Sequence, residues 1–402
     1  MSVASAYLDH AATTAVRPRA LAAFVAQAGE LGNPSSLHAS GRRSRRIVEE
    51  SRETLAARLG VRPNDVVFTS GGTEADNLAI KGLYWSAVAA DPQRRTIVAS
   101  SIEHHAVLDA INWLVDHDGA QVAWIPATLS GHIDVDWLED YLAAHAADVA
   151  LCAVMWANNE TGVVQPLDVV SQLCDRAGIA LHSDGVQAAA WLAPSTPWRA
   201  ARASLAISAH KFGGPVGVGA LVANGVTPVP LLHGGGQEID VRSGTVATAL
   251  AASMAAAFDE TTDQREHERT RIGVLIEHLE KGVAAVAPDA EFVGVGSQRL
   301  PNIRAVTFPD CQADALLMLL DAAGIACSAG SACTAGVPRP SHVLLAMGLS
   351  PNQAEGTLRF SLGWNSSEHD VAALVAALPA ALDRARSANR GRSARQAAAG
   401  TS

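Results

Sequence analysis

Lysine is scarce in this chain: Lys81, Lys211 and Lys281 stand against 27 arginines in 402 residues. Chemistry that needs an amine nucleophile therefore has three candidates. Lys81 closes a helix-like stretch before Gly82, and Lys281 sits in the charged run IEHLEKG; both fit solvated side chains. Lys211 does not. It follows Ser208 and His210 and precedes FGGPVGVGALVA, a glycine-rich apolar stretch. An amine in such surroundings is desolvated, its pKa falls, and it can condense with a carbonyl. A Schiff-base lysine suggests pyridoxal phosphate, and that cofactor makes further demands. Its ring nitrogen needs a carboxylate, and Asp184, just after the apolar run IALHS, is placed for one; a helix-capping Asp is an equal account of that residue alone. Its phosphate needs N–H groups at a helix start, which SGGTEADNLAI offers through Gly72 and Thr73. A flat group for the ring face is available in His104 or His105, and Asn159 and Gln187 are polar groups within reach of a ring hydroxyl.

A second nucleophile stands apart from these. Cys333 lies in CSAGSACTAGVPRPS, residues 327–341, where small residues and prolines favour irregular backbone over a packed core. The cysteines are 152, 174, 311, 327 and 333, an odd number with no C-x-x-C pair, which fits reduced thiols rather than a disulfide framework or a zinc site. Cys152, Cys174 and Cys327 fall in apolar runs and read as buried thiols, while Cys311 falls in a turn. Of the histidines only the adjacent His104–His105 pair stands out, and adjacent side chains point apart, so no metal site is expected.

The elements that must position these groups are legible as alternating apolar runs and amphipathic stretches. Strands are predicted in 65–70, 96–100, 148–156, 178–185 and within 204–223, each of the first four followed by a helical pattern. That alternation predicts an α/β protein with a mostly parallel sheet covered on both faces. Ligands of such sheets sit beyond the carboxyl ends of the strands. SGGTE, SIEHH, ANNETG, SDGVQ and SAHK all follow apolar runs, so one shared site is expected there. A long helical region is predicted over about 249–285, then a smaller α/β segment over 290–386 that carries Cys333. The expected division is a large domain at 16–260, a small one from 1–15 and 261–386, and a disordered tail at 387–402.

Composition bounds the function class. Hydrophobic residues make up 49% and charged residues 17%, as in a compact globular protein. The formal charge of -10 argues against nucleic acid as a partner, and the basic GRRSRR at 41–46 reads as a solvated helix face. No apolar run reaches the roughly 18 residues of a membrane span, and MSVASAYLDH lacks the features of a signal peptide, so no membrane and a cytoplasmic location are expected.

The motifs YLDHAATT (7–14), GNPSSLHASGR (32–42), FTSGGTEADNLAIKG (68–82), IEHHAV (102–107), NNETGVVQP (158–166), HSDGVQ (182–187), SAHKFGGPVGVGAL (208–221), RSGT (242–245), GSACTAG (330–336) and LRFSLG (358–363) occur in order over about residues 6–375. In this the chain resembles the cysteine desulfurases of the IscS/NifS type, within the class V aminotransferase-like enzymes. The resemblance implies the fold type I of pyridoxal-phosphate-dependent transferases, with a mostly parallel seven-stranded-type sheet in the large domain. It implies catalytic roles for Lys211, His104 and Cys333: Lys211 bonds the cofactor, His104 stacks on its ring, and Cys333 accepts sulfur from L-cysteine as a persulfide while alanine leaves. Asp184 would face the ring nitrogen, with Asn159 and Gln187 near the ring hydroxyl. Gly72, Thr73, Ser208 and His210 would hold the phosphate. Thr245 would reach the cofactor of a second copy in a homodimer. Arg359 would hold the substrate carboxylate with Asn159 nearby, for which a planar guanidinium is suited. The implied partners are L-cysteine and a sulfur-accepting scaffold or carrier protein, for iron–sulfur cluster assembly or the thiolation of tRNA or cofactors. His10, in DHAAT, is at a position that varies in the family and receives no role. The alternatives are a selenocysteine lyase, another class V lyase or aminotransferase, and a non-catalytic interaction protein on the same fold. Cys333 weighs against a transaminase, and the presence of Lys211, Asp184 and Cys333 weighs against a decayed site.

Overall fold

A computed structural model describes residues 6–193, 202–329 and 340–399. After β1 (Ala6–Tyr7), α1 (Pro18–Ala28) and α2 (Ala39–Leu59), strands and helices alternate. They run β2 (Val66–Thr69), α3 (Gly72–Ala90), β3 (Thr96–Ser100), α4 (His105–Asp118), β4 (Gln121–Ile125), α5 (Val135–His145), β5 (Val149–Ala153), α6 (Leu167–Ala177) and β6 (Ala180–Asp184). β7 (Ala203–Ser208) and β8 (Gly219–Asn224) complete this part. Strands β2 to β8 form a seven-stranded sheet in the order β2-β8-β7-β6-β5-β3-β4. Only β8 runs against the others, pairing antiparallel with both β7 and β2. β3, β5, β6 and β7 are buried along their whole length, which explains why their sequences are continuous apolar runs rather than alternating ones.

The strong helix starts and stops are local. α2 and α4 end on Gly60 and Gly119 in left-handed conformation, and α4 and α5 begin on His104 and Asp134, whose side chains accept from backbone N–H groups. Arg43 and Arg46 of the basic cluster pair with Glu30 and Glu50 at the surface, as a solvated helix face would.

A long helix, α7 (Thr248–Val286), packs along α1, α2 and α11 and leads to the second part. There β9 (Glu291–Phe292), β10 (Ile303–Thr307), α8 (Ala313–Ala322), β11 (Ile325–Ala326), β12 (Ser328–Ala329), α9 (His342–Ala346), α10 (Pro351–Glu355), β13 (Thr357–Ser361) and α11 (Glu368–Ala399) follow in turn. Among the described residues they build a four-stranded sheet, β12-β13-β10-β9, and β1 pairs in parallel with β11. The start of the chain therefore lies with its C-terminal part. Two elements bear on the expected division. The boundary at 260 falls inside α7, where one helix serves both parts. The tail from 387, expected to be disordered, continues α11 to Ala399. Its alanines and arginines are strong helix formers and extend a helix already anchored through the buried Leu374, Leu378 and Leu382. Among the described residues no helix is long and apolar enough to cross a membrane.

Candidate active site

The carboxyl ends of β2, β3, β5, β6 and β7 surround a cavity of about 390 Å³ that β12, Arg359 of β13 and the segment 11–12 close from the other side. Lys211 ends a tight turn, Ala209–Lys211, directly after β7. Its Nζ donates to the carbonyls of Ala11 and Ala12 at 2.6 and 2.8 Å, so the amine is aimed into the cavity by the chain's own start. Burial, helped by the charge of Arg359, lowers its pKa to about 8. Lys81, by contrast, is not simply solvated: its ammonium lies 4.3 Å from the centre of the Trp113 ring, outside this cavity.

Asp184 ends β6, buried, with Oδ1 accepting from the Val186 N–H at 2.8 Å. Burial raises its pKa, and the nearby His104 and Lys211 oppose that rise. Two further acids lie close to it. Asp76 of α3 lines the cavity, and Glu103 sits behind; burial pushes both well above the carboxylate range, with the charge of Asp184 adding to it. Burial therefore favours the neutral acid at both, whereas at Asp184 the rise is opposed by His104, the Val186 N–H and Lys211. Asp76 is fixed by His182, whose Nε2 is 3.2 Å from Asp76 Oδ1 and whose Nδ1 is 2.9 Å from Ser204 Oγ. With its pKa driven down to about 3 by burial, that imidazole is neutral, and the contact to Asp76 is a hydrogen bond rather than an ion pair.

A glycine turn at the start of α3 forms part of the cavity rim. Gly71 has φ 157° and ψ -175°, a conformation open to glycine alone, which turns the chain from β2 into the helix. A Cβ on Gly72 would stand 2.7 Å from Val186 Cγ2. Thr73, Ser208 and His210 complete the rim, and His210 is held neutral by burial, its pKa lowered to about 4. His104 caps α4: its Nδ1 accepts from the Ala106 N–H at 3.1 Å, so a neutral ring carries its proton on Nε2. The ring is open on its cavity side, and burial on the others lowers its pKa. His105 also borders the cavity, and of the two histidines His104 is the one that caps α4.

At the opposite wall, Arg359 Nη1 donates to the carbonyl of Asn159 at 2.9 Å and Nη2 to Asp9 at 2.8 Å, while Nε is buried without a partner. Two tethers thus orient the guanidinium, which lines the cavity and has more N–H groups than these two bonds use. Gln187 is less free than expected, because its amide donates to the Ala11 carbonyl at 2.8 Å.

Of the sequence-predicted residues, Gly72, Thr73, His104, Asn159, Asp184, Gln187, Ser208, His210, Lys211 and Arg359 line this one cavity. Thr245 is exposed and borders a separate, smaller recess with Ser70 and Arg242. Cys333 lies outside the described residues. Cys152 and Cys174 are buried, as expected; Cys311, which the sequence left in a turn without a role, is buried too, and Cys327 is half-buried, its thiol pushed up to about 12 by burial. Sequence reasoning missed Asp9, Asp76, Glu160 and His342. Asp76 follows Thr73 by three residues and so shares its helix face, a signal that was present in the sequence. Asp9 and Glu160 reach the site from between the helices and strands, and His342 from the first position of α9, and none carries such a local mark.

Comparison with known proteins supports a common origin for this arrangement. The profile of the family described as "Aminotransferase class-V" matches residues 6–374. An "IscS-like cysteine desulfurase" of Mycobacterium tuberculosis is 50% identical over 385 residues, covering 95% of this chain and 98% of that protein. A "Cysteine desulfurase" of Cereibacter sphaeroides is 41% identical over 94% of this chain and 96% of its own length. A solved structure titled "NIFS-LIKE PROTEIN" superposes with a TM-score of 0.86 at 31% identity, covering 94% of this chain and 99% of that one.

Proposed function

The chain belongs to the class-V aminotransferase family, and we propose from that premise how it works as a cysteine desulfurase dependent on pyridoxal phosphate. The observation that carries the mechanism is the single cavity that gathers a low-pKa lysine, a buried carboxylate, a glycine cradle and a two-point-tethered arginine.

The residues present fit the cofactor. Lys211 is the amine that would hold its aldehyde, Asp184 the carboxylate that would face its ring nitrogen, and the Gly71–Gly72 turn has room at the helix start for its phosphate. When bound, pyridoxal phosphate supplies an electron sink for the pair left at the substrate Cα. Arg359 binds and orients the carboxylate of L-cysteine, with Asn159 on the adjoining loop. Lys211 Nζ, largely free of its proton once pH exceeds about 8, is the base placed to move the Cα proton. His104 would lie against the ring, and its Nε2–H, left free by the Nδ1 cap, would be available to donate to the substrate. The Cys333 thiolate takes the sulfur: a bond forms from its Sγ to the substrate sulfur as the substrate Cβ–S bond breaks. L-cysteine and the enzyme thiol thereby become alanine and an enzyme persulfide, with no external oxidant or reductant.

A sulfur-accepting scaffold or carrier protein would then relieve Cys333 of its persulfide, and Thr245 would serve the cofactor of a second copy in a homodimer. The test is alanine release from L-cysteine by the purified protein beside Cys333→Ser. Alanine from the wild type and little from the variant is expected. Equal alanine from both would remove Cys333 from its role, and none from a yellow, cofactor-loaded wild type would overturn the activity itself.

A further inference from the structure

Glu160 takes no part in the reaction as drawn, yet it is built into the cavity wall. It follows Asn159, is 5% exposed, and lines the cavity with Arg359. Its loop is rigid for a local reason: Asn158 Oδ1 accepts from the N–H groups of Glu160 and Thr161, both at 2.9 Å, and Asn158 Nδ2 donates to the Ile102 carbonyl at 3.0 Å. The Glu160 carboxyl accepts from the hydroxyl of Ser341 at 2.5 Å, and that hydroxyl in turn accepts from the Leu344 N–H at 3.2 Å as the cap of α9. Next to it, His342 Nε2 lies 2.9 Å from the Glu103 carbonyl and its ring 4.9 Å from that of His105.

These contacts tie a particular point of the chain. Ser341 lies eight residues after Cys333, and Ala329 four residues before it. Upstream, β12 is paired with β13 so that Ser328 stands opposite Arg359. Downstream, Ser341 is held by Glu160, whose neighbour Asn159 carries the carbonyl bonded to Arg359. Both ends of the stretch that contains Cys333 are thus fastened around the arginine that would hold the substrate carboxylate. A transfer to sulfur needs the accepting thiol at a defined distance and angle from the substrate, and fixing both ends of a short chain raises the fraction of its conformations that comply.

We propose that Glu160, acting through Ser341, is a positioning residue for sulfur transfer: it fixes where the chain returns to the active site after Cys333. The proposal rests on the desulfurase function and on Cys333 as acceptor. A buried carboxyl accepting from a hydroxyl is a bond that an amide oxygen can replace, whereas alanine at either position removes it.

The experiment uses the cofactor-loaded full chain with Glu160→Ala, Ser341→Ala and Glu160→Gln. Steady-state kcat and KM are measured beside two readouts: the cofactor absorbance change on mixing with L-cysteine, and trapping of persulfide at Cys333. Both alanine variants are expected to lose about tenfold in kcat and in the rate of persulfide formation, the cost of one buried hydrogen bond. KM and the absorbance change on mixing stay near wild type, and Glu160→Gln recovers most of the rate. If Glu160→Ala does not fold, Ser341→Ala removes the same bond and carries the test. Unchanged persulfide formation in Ser341→Ala would overturn the proposal, as would a loss confined to cofactor retention or thermal stability. Failure of the underlying function shows differently: wild type without alanine, or Cys333→Ser with full alanine release.

Discussion

At the scale of residues, the site works by environment more than by identity. Lys211 is a usable amine because burial and Arg359 bring its pKa to about 8, while Lys281 pairs with Glu277 in solvent. Reductive labelling of the cofactor-free protein by pyridoxal phosphate and borohydride is expected to modify Lys211 first, with a pH midpoint near 8. A midpoint near 10, or labelling of Lys281 in preference, would contradict the buried setting. Arg359 should separate binding from cofactor chemistry. Arg359→Lys keeps the charge but cannot preserve both tethers and a fork for carboxylate, so KM for L-cysteine is expected to rise by about 10- to 100-fold with the cofactor spectrum intact. Burial and the charge of Asp184 raise the pKa of Asp76, which is bonded to His182. Asp76→Asn, which keeps a neutral polar group there, is therefore expected to retain cofactor and activity, whereas an ionised Asp76 would make that change as damaging as Asp184→Asn.

At the scale of elements, the site depends on how closely three backbones approach. A Cβ on Gly219 of β8 would lie 2.6 Å from the Ile207 carbonyl oxygen and 2.7 Å from the backbone of Gly71. The strand that runs against the sheet thus lies directly under the glycine turn, and only glycine lets both fit. Gly219→Ala is expected to cost about 1–3 kcal/mol in chemical denaturation and to weaken cofactor retention as the Gly71 turn shifts. Loss of neither would mean that β7 and β8 part without disturbing the turn. The N-terminal segment is the other decisive element. Asp9 holds Arg359, Ala11 and Ala12 hold Lys211, and His10 anchors the stretch between Thr14 Oγ1 at 2.7 Å and Ser366 Oγ at 3.1 Å. His10 has no sequence-assigned role because nothing in DHAAT shows that it meets residues more than three hundred positions away.

At the scale of the whole molecule, two consequences follow. The first concerns acid. Burial lowers the pKa of His10 to about 4 from the usual 6.5, against an opposing charge from Asp370. The folded state keeps this ring neutral, so its stabilising share is complete above about 6.5 and is lost as pH falls towards 4, because the unfolded chain takes up the proton first. The stability difference between wild type and His10→Asn is accordingly expected to shrink between pH 6.5 and 4; a difference independent of pH would mean that folding leaves the titration of this ring unshifted, and one that grows as pH falls would place a charged imidazole in the fold. The second concerns assembly. Leu21 and Val25 of α1 are 54% and 65% exposed, and Leu31 and Leu37 after it are 84% and 86% exposed. An apolar surface of that extent is suited to a second copy of the chain. Sedimentation is expected to give twice the mass of one chain, and Leu21→Glu with Val25→Glu to give half of that. A monomeric wild type would remove Thr245 from its proposed role.

Local sequence pattern was enough to place the parallel sheet, the common edge where its loops converge, and the lysine, carboxylate and glycines that meet there, whereas Arg359 was named only through the family resemblance. Those features are local: strand and helix periodicity is written within ten or so residues, and parallel strands place their carboxyl-end loops on one side. Only the tertiary structure decided which groups complete the site from a distance. Asp9 and Arg359 are 350 positions apart, Glu160 and Ser341 are 181 apart, and His182 reaches Asp76 across 106. It also decided that α7 joins the two parts as one helix and that α11 runs on through the tail. Pairings of that length leave no period in the sequence, because they depend on where two independently formed elements come to rest. The protonation states of Asp76, Glu103 and Lys211 belong to the same class, since burial sets them and burial exists only in the folded chain.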